Sequence, residues 1–241
     1  MQRTYKYEEM LPDEFLAAVE RMPVFIVPTG LLEWHGNHLP FGQDALKSYG
    51  LCLETARKLG GGIVLPPNYW GRPGFSSFVG TLTFGEETLR ALFLEIFEQL
   101  EKAGAGVVLL VTGHYGPTQV GFVKAVADEY MERGTGLRII ARPEYEGVEI
   151  DGETPADHGG KWETSMFWYM YPELTHMENF EFRTIDVHQY KDPPHYTHRE
   201  QSPWQWPEDL HKVASRELGE RAVDIITDHL AAVVLAALTN S

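Results

Sequence analysis

A group of potential metal ligands lies near the beginning of the chain. Glu33 and His35 follow the apolar run 24–27, which is typical of a buried strand. In an extended segment, side chains two positions apart point the same way, so both can face one point in space. Asp44 follows near the expected start of a helix. Carboxylates and an imidazole without a thiolate suit a divalent metal ion, so the segment predicts a metal-dependent hydrolase.

Two later segments carry further candidate residues. His114 follows Gly113 at the end of an almost wholly apolar run, 106–112, which predicts a parallel strand covered on both faces. A histidine at that position is expected at the edge of the sheet where ligands bind. Glu163 lies five positions after His158 and would occupy the first turn of a helix. The segments of His114 and Glu163 can both reach the site predicted for Glu33, His35 and Asp44.

Ordinary structural roles compete with these assignments. Glu33, His35 and Asp44 could form a network of ion pairs at a strand end. His114 could be a turn residue, and Glu163 could be a first-turn carboxylate that stabilises a helix N-terminus. His158 could be a hydrogen-bonding residue without a catalytic role.

Composition limits the partners. The chain has 241 residues, enough for one large domain or at most two, and a formal net charge of −15 without a long basic run. This argues against nucleic acid and anionic membrane as main partners. A single cysteine, Cys52, excludes an internal disulfide framework and a multi-cysteine metal site. Neither an apolar signal core nor an uninterrupted apolar run of about 20 residues is present, so a cytoplasmic location is expected.

Short apolar runs alternate with longer amphipathic segments. This alternation predicts an α/β fold with a mostly parallel sheet flanked by helices, and ligands beyond the carboxyl ends of its strands. The predicted strands are 23–28, 62–66, 106–112 and 137–141, and the predicted helices are 12–21, 44–59, 86–103, 118–133 and 208–237.

Two loops depart from the alternation. The first, 68–84, is rich in glycine and aromatic residues. The second, 183–207, is long enough to suggest a function. Its histidines His188, His195 and His198 lack a recognised ligand spacing, so a polar lid or a subunit contact is the preferred interpretation. Candidate pocket-wall residues in the first loop are Tyr69, Trp70, Arg72 and Phe75.

Taken in order, the motifs resemble those of the creatininase family, the creatinine amidohydrolase-like enzymes. Residues 33–40 match the family segment E-x-H-G-x-H-L-P, and Asp44 follows as in the family. Gly113 and His114 match part of a Gly-His turn. Further matches are His158 with Glu163-Thr164-Ser165 and a helix start at 214–219, so the resemblance spans about residues 20–230.

The resemblance implies a single domain, 1–241, folded as a three-layer α/β/α sandwich with a dinuclear metal centre. In the family pattern Glu33 and His114 bind one ion, His35 and Glu163 bind the other, and Asp44 bridges them. Zinc is expected first, with manganese or iron as alternatives. The ions would share an activated hydroxide that attacks a carbonyl, with His158 as proton shuttle beside the catalytic Glu163. A homo-oligomer, with a hexamer as one form, is also implied.

Several departures make creatinine itself a poor candidate substrate. Gly116 occupies a position where creatininase supplies a glutamate ligand, so Glu163 takes that role. No tryptophan lies just before His158, where creatininase has a substrate-stacking one. The expected activity is therefore hydrolysis of a C–N bond in another small cyclic amide or formamide-like molecule. Expected substrate-binding residues are Tyr69, Trp70, Arg72, Thr118 and Gln119.

Two further hypotheses remain open. The first keeps the metals but opens the ring of a cyclic keto-polyol, such as an oxidised inositol, by C–C cleavage. The second is a non-catalytic binding protein on the same fold, which predicts the loss of ligands. The ring-opening hypothesis favours a polar pocket formed by Gln43, Arg72, Thr118, Gln119 and His158.

Overall fold

A four-stranded parallel sheet forms the centre of the molecule. The computed structural model describes residues 4–72, 74–76, 78–186 and 203–239. Within this part of the chain all strand pairs are parallel, which confirms the predicted α/β fold. The strands are β1 (Val24–Thr29), β2 (Ile63–Val64), β3 (Val107–Thr112) and β4 (Arg138–Pro143), in the order β2-β1-β3-β4.

Helices cover both faces of this sheet. Alternate residues of β1 enter different cores: Val24 packs with residues of α2, α5 and α7, whereas Phe25 packs with residues of α1, α3 and α4. The sheet is therefore the middle layer of three, as the family resemblance implies. The helices are α1 (Pro12–Arg21), α2 (Gln43–Leu59), α3 (Glu86–Lys102), α4 (Pro117–Met131), α5 (Lys161–Met170), α6 (Leu210–Val213) and α7 (Arg216–Thr239).

The strand order reverses between β1 and β3. Such a switch point opens a crevice at the carboxyl ends of the strands, where ligands bind in open α/β sheets. Two glycines let the start of α2 close this crevice. A Cβ atom on Gly30 would lie 2.4 Å from the Ala45 nitrogen, and one on Gly113 would lie 2.1 Å from the Asp44 carbonyl oxygen. Only glycine permits this approach, which carries Asp44 to the ends of both strands.

Two predicted strands differ in length from the observed ones. The ladder of β2 is limited to Ile63–Val64, because Pro66 and Pro67 follow and have no N–H group to continue it. By contrast, β4 continues to Pro143, two residues beyond the predicted end. Glu144 therefore comes directly after a strand, at the same edge of the sheet as the candidate ligands.

The prediction of one continuous helix over 208–237 is wrong at its beginning. A short helix, α6, ends at Val213 and α7 begins at Arg216. Ser215 separates them because its hydroxyl accepts a hydrogen bond from the Leu218 N–H at 3.1 Å. Its own N–H donates to the Ser165 hydroxyl of α5 at 3.1 Å, so the break fixes α7 against α5.

Helix α7 is long and apolar enough, by length and composition alone, to cross a membrane. In the structure 44% of its most apolar window is buried. Ile226 and Leu230 belong to the core shared with α2 and α5. Gly219 allows close packing, since a Cβ atom there would lie 1.9 Å from the Ser165 carbonyl oxygen. Core packing accounts for the apolar face of this helix.

Candidate metal centre

The five predicted ligands come together at the switch point. All five side chains are buried, and their ligand atoms form two groups that share Asp44. The atoms within each group lie within 4.8 Å of one another. We name these groups by the elements that supply them. The strand half is Glu33, Asp44 and His114, and the helix half is His35, Asp44 and Glu163.

Asp44 directs its two oxygen atoms into different halves. Its Oδ1 lies 2.9 Å from His35 Nε2, and its Oδ2 lies 3.3 Å from His114 Nδ1. The second carboxylate of each half is also close to a histidine: Glu33 Oε2 is 3.0 Å from His114 Nδ1, and Glu163 Oε2 is 3.5 Å from His35 Nε2. A carboxylate placed in this way could supply one oxygen atom to each half.

The donor atoms fit divalent metal ions. Glu33 Oε2 and Asp44 Oδ2 are buried and accept no hydrogen bond of acceptable geometry from the described residues. His35 Nδ1 donates to the Glu33 carbonyl oxygen at 3.0 Å, which leaves Nε2 free to bind a metal. Gly74 keeps space beside Glu33, because a Cβ atom there would lie 1.7 Å from Glu33 Oε1. These features match a buried site for cations with oxygen and nitrogen ligands.

Opposite charges dominate the electrostatics of the centre. Burial alone would lower the pKa of His35, but the neighbouring Asp44, Glu163 and Glu33 raise it to about 9. Glu33 and Asp44 have lowered pKa values, because the nearby histidines outweigh the effect of burial. Burial raises the pKa of Glu163 to about 7, against the opposing charges of Lys47 and His35. Without metal, the carboxylates therefore depend on protonated histidines for compensation.

Glu163 reaches the centre from the first turn of α5. The N-terminus of this helix is held by Asp157, whose carboxylate accepts hydrogen bonds from the N–H groups of Gly160, Trp162 and Glu163 at 2.7–3.2 Å. The backbone turns at Gly159, which has a φ of +53° and donates its N–H to Glu163 Oε2 at 2.7 Å. Asp157 therefore stabilises the N-terminus of α5 by accepting N–H groups of its N-cap and first turn.

His158 lies at the edge of the ligand groups. Its ring stacks on Phe75 with centroids 3.7 Å apart, and its Nδ1 lies 3.9 Å from Glu33 Oε2. Burial, followed by the charge of His35, lowers the pKa of His158 to about 3, so the ring is neutral at pH 7. With Glu33 and His35 it forms a third group of potential ligands. The imidazole is therefore placed to exchange a proton beside the centre.

Two cavities meet at His158. The first has a volume of about 190 Å³ and is lined by all five predicted ligands together with Phe75 and His158. The second has a volume of about 470 Å³, and Asp157 and His158 line it as well. Aromatic walls of the second cavity come from Trp162, Trp204 and Trp206.

The five expected substrate-binding residues lie outside the residues that line the 190 Å³ cavity. Tyr69 packs near Gly42, and the Trp70 side chain is exposed. Arg72 lies 3.3 Å from the Glu86 carboxylate, and Thr118 lines a separate cavity beside α3 and α4. Gln119 is buried, where its side chain accepts from the Arg72 N–H and donates to the Thr112 hydroxyl.

Among the other sequence candidates, Phe75 lines the cavity, and Gln43 is buried at the first position of α2. His188, His195 and His198 lie outside the described residues.

Sequence reasoning did not identify three residues that contact or flank the ligands: Lys47, Glu144 and Tyr115. Lys47 Nζ lies 2.6 Å from Glu163 Oε1 and 2.8 Å from Glu144 Oε1. Tyr115 is hydrogen-bonded to both Lys47 and Glu144. Lys47 comes three positions after Asp44 on a helix, so the shared helix face was a usable signal.

Comparison with known proteins agrees with this geometry. The creatininase family model, described as creatinine amidohydrolase, matches residues 8–234. Creatinine amidohydrolase of Pseudomonas putida is 26% identical over 238 residues, which cover 86% of this chain and 87% of that protein. A mycofactocin precursor peptide peptidase of Mycobacterium ulcerans is 29% identical over 162 residues, 63% of this chain and 60% of the relative.

Solved creatininases share the fold. One creatininase structure superposes with a TM-score of 0.76 at 23% identity and covers 97% of both chains. A manganese form gives 0.74 at 22% identity over 96% of this chain and 97% of the other, and a Zn-Zn type gives 0.72 at 22% over 97% and 98%. Because the family model matches nearly the whole chain, the chain belongs to the creatininase family of metal-dependent hydrolases.

Proposed function

We propose that this hydrolase uses two divalent metal ions to cleave a C–N bond in a small polar amide, such as a cyclic amide or a formamide-like molecule. The observation that carries the proposal is the position of Asp44, whose two oxygen atoms face different histidines. A carboxylate shared in this way suits a pair of ions a few Å apart. Both halves also open into one cavity that is large enough for a small reacting group.

The strand half would hold one ion and the helix half the other. Zinc is the first candidate, and manganese or iron suits the same oxygen and nitrogen donors. The similar structures in manganese and Zn-Zn forms support this choice. When bound, such ions polarise a carbonyl group and lower the pKa of water.

His158 would carry the proton. Its neutral ring can accept a proton from the attacking water and deliver it to the leaving nitrogen. Phe75 fixes the ring plane by stacking, and Nδ1 faces the ligand groups across 3.9 Å. Glu163 would act beside it as a ligand supplied by the first turn of α5. Removal of the Glu163 side chain should therefore lower the metal content, whereas removal of the His158 side chain should lower kcat without loss of metal.

A short peptide is the second candidate substrate. Two relatives are named as peptidases, and the 470 Å³ cavity beside His158 offers aromatic walls for an apolar side chain. The ring-opening hypothesis is less favoured. The relatives' names refer to amidohydrolase and peptidase activities, and only His158 of its expected polar pocket lines the cavity with the ligands. A non-catalytic role is least favoured, because all five ligand types are retained.

Metal content per chain is the first test of the proposal. Protein purified without chelator should contain about two ions per chain, and Glu163→Ala should contain fewer. Glu173→Ala, which changes an exposed glutamate shortly after α5, is the matched control and should retain the wild-type content. Absence of stoichiometric metal, even after incubation with zinc or manganese, would contradict the mechanism.

A substrate panel then separates the reaction classes. Metal-loaded protein is assayed with cyclic amides, formamides, short peptides and cyclic ketones, and release of an amine or a carboxylate is measured. Turnover of amides but not ketones supports the proposal, and a preference for peptides selects the second candidate. The homo-oligomer and the cytoplasmic location remain expectations from the sequence, to be tested by light scattering and by fractionation.

A further inference from the structure

Lys47 is an unusual residue to find beside a group of metal ligands. Its side chain is fully buried on α2, one helical turn after Asp44. Lysine is almost never fully buried unless it is paired. Burial would lower the pKa of Lys47, but the carboxylates of Glu144 and Glu163 raise it, so the ammonium group stays protonated. The chain therefore holds a permanent positive charge beside a site for cations.

The contacts of this ammonium group are directional. Nζ lies 2.6 Å from Glu163 Oε1 and 2.8 Å from Glu144 Oε1, and it is hydrogen-bonded to the Tyr115 hydroxyl. The Gly113 carbonyl oxygen lies 3.4 Å away. These partners come from α5, from the residue after β4 and from the loop after β3, so Lys47 links three elements around the centre.

As a result, the two oxygen atoms of Glu163 make different contacts. Oε1 is occupied by Lys47, whereas Oε2 accepts the Gly159 N–H at 2.7 Å and lies 3.5 Å from His35 Nε2. Only Oε2 therefore faces the other members of the helix half. If Lys47 were absent, Oε1 would be free to rotate toward the same ligands.

We propose that Lys47 is a positioning residue that makes Glu163 a ligand through one oxygen atom in the helix half of the centre. This inference rests on the proposed function, because it requires that the helix half bind a metal ion. Ligand orientation by neighbouring groups is a general feature of metal sites, and loss of such a partner costs about 10–100-fold in metal affinity. Simple charge repulsion predicts the opposite result, since removal of a positive charge would strengthen metal binding.

The test uses Lys47→Met, which keeps a long unbranched side chain but removes the charge. Zinc affinity is measured for each equivalent by competition with a chelating dye. We expect one equivalent to bind about 10–100-fold more weakly and the other to be unchanged. Lys58→Met is the matched control, because Lys58 lies on the same helix and pairs with Asp224 and Asp228 at the surface. It should bind both equivalents as the wild type does.

A double variant tests whether Lys47 acts through Glu163. In a Glu163→Gln background, Lys47→Met should change zinc affinity by less than about twofold, because the two changes affect one interaction and are not additive. Cobalt substitution gives an independent readout: the visible absorption of the weakened equivalent should change in Lys47→Met, since Glu163 can then bind through both oxygen atoms. Lys47→Leu, which also removes the charge and every N–H donor, is measured in the same way and decides the question if Lys47→Met does not fold.

Failure of this inference can be distinguished from failure of the proposed function. If the wild type binds fewer than two ions, the dinuclear proposal fails and Lys47 has no such role. If the wild type binds two ions and a folded Lys47 variant shows unchanged affinities and an unchanged cobalt spectrum, the positioning role is wrong. Additive losses in the double variant, or tighter zinc binding in Lys47→Met, would also overturn it.

Discussion

The two halves of the centre hold their carboxylates in similar ways but with different charges. In the strand half, Glu33 Oε1 accepts the Phe75 N–H at 2.6 Å, and Oε2 faces His114. In the helix half, Glu163 Oε1 pairs with the Lys47 ammonium group, and Oε2 faces His35. One half is fixed by a neutral backbone group and the other by a cation. The difference shows that the orientation of the carboxylate depends on a charged side chain in the helix half and on a backbone N–H group in the strand half.

Replacement of the shared ligand should have the largest effect, because it removes the feature that joins the halves. Asp44→Asn keeps the shape of the side chain but removes the negative charge. We expect both ions to bind at least about 100-fold more weakly, with hydrolytic activity near that of chelator-treated protein. Metal analysis and zinc titration measure the effect, and the exposed Asp13→Asn is the control. Retention of one tight ion would show that the halves are independent.

Replacement of the proton carrier should reduce catalysis without removing metal. His158→Gln is expected to lower kcat by about 10²–10⁴-fold, the usual contribution of general acid–base catalysis. Metal content should remain at about two ions, because His158 belongs to neither half. Steady-state kinetics and elemental analysis are compared with His176→Gln, which changes an exposed histidine. Loss of one ion from His158→Gln would instead assign this histidine as a ligand.

A substitution at Gly74 should weaken only the strand half. The added Cβ atom of Gly74→Ala would lie 1.7 Å from Glu33 Oε1, so the carboxylate must move. We expect one zinc equivalent to bind about 10–100-fold more weakly and the other to be unchanged. Gly121→Ala, which places its Cβ atom in open space, is the control. Lys47→Met targets the helix half. The double variant with Gly74→Ala and Lys47→Met should therefore bind both zinc equivalents more weakly than the wild type.

The smallest effect concerns stability and the support of α5. His38 is hydrogen-bonded to the Thr164 hydroxyl at 2.9 Å, and burial, together with the charge of His35, lowers its pKa to about 3. Below pH 6.5 the unfolded chain takes up a proton at His38 that the folded protein does not, so the free energy of unfolding falls as pH decreases. Between pH 6.5 and pH 5 this loss amounts to about 2 kcal/mol.

The measurement is urea unfolding of the wild type and His38→Gln at pH 6.5 and pH 5. The variant should lose about 2 kcal/mol less than the wild type over this interval, because glutamine does not titrate. His176→Gln is again the control and should follow the wild type. Equal slopes for the wild type and His38→Gln would show that His38 takes up its proton in the folded protein too.

Much of the architecture was predictable from local patterns. The run in β3 is apolar on both faces, and such a strand is stable only in the middle of three layers. Each strand–helix alternation then places polar residues such as His114 at one edge of the sheet. The roles of Glu33 and Asp44 as candidate ligands were predictable from their position after a strand, from their spacing and from the family resemblance.

The surroundings of the ligands were not predictable in the same way. The shared helix face marks Lys47 as a neighbour of Asp44, but its burial depends on carboxylates from distant segments. Glu144 was missed because β4 extends two residues beyond its apolar run, so the strand end was misplaced. Trp204 contacts Phe75 only through tertiary packing, with ring centroids 5.0 Å apart. No local pattern contains these pairings.

The separation along the chain of the residues that surround the centre has a consequence for folding. Lys47 and Glu163 are 116 positions apart, and His38 and Thr164 are 126 positions apart. Contacts between such distant segments require the closure of long loops, which is slow and entropically unfavourable. During synthesis, all residues of the strand half are present once His114, just after β3, has emerged. The helix half must wait for α5, so the two groups of candidate ligands become complete in a fixed order.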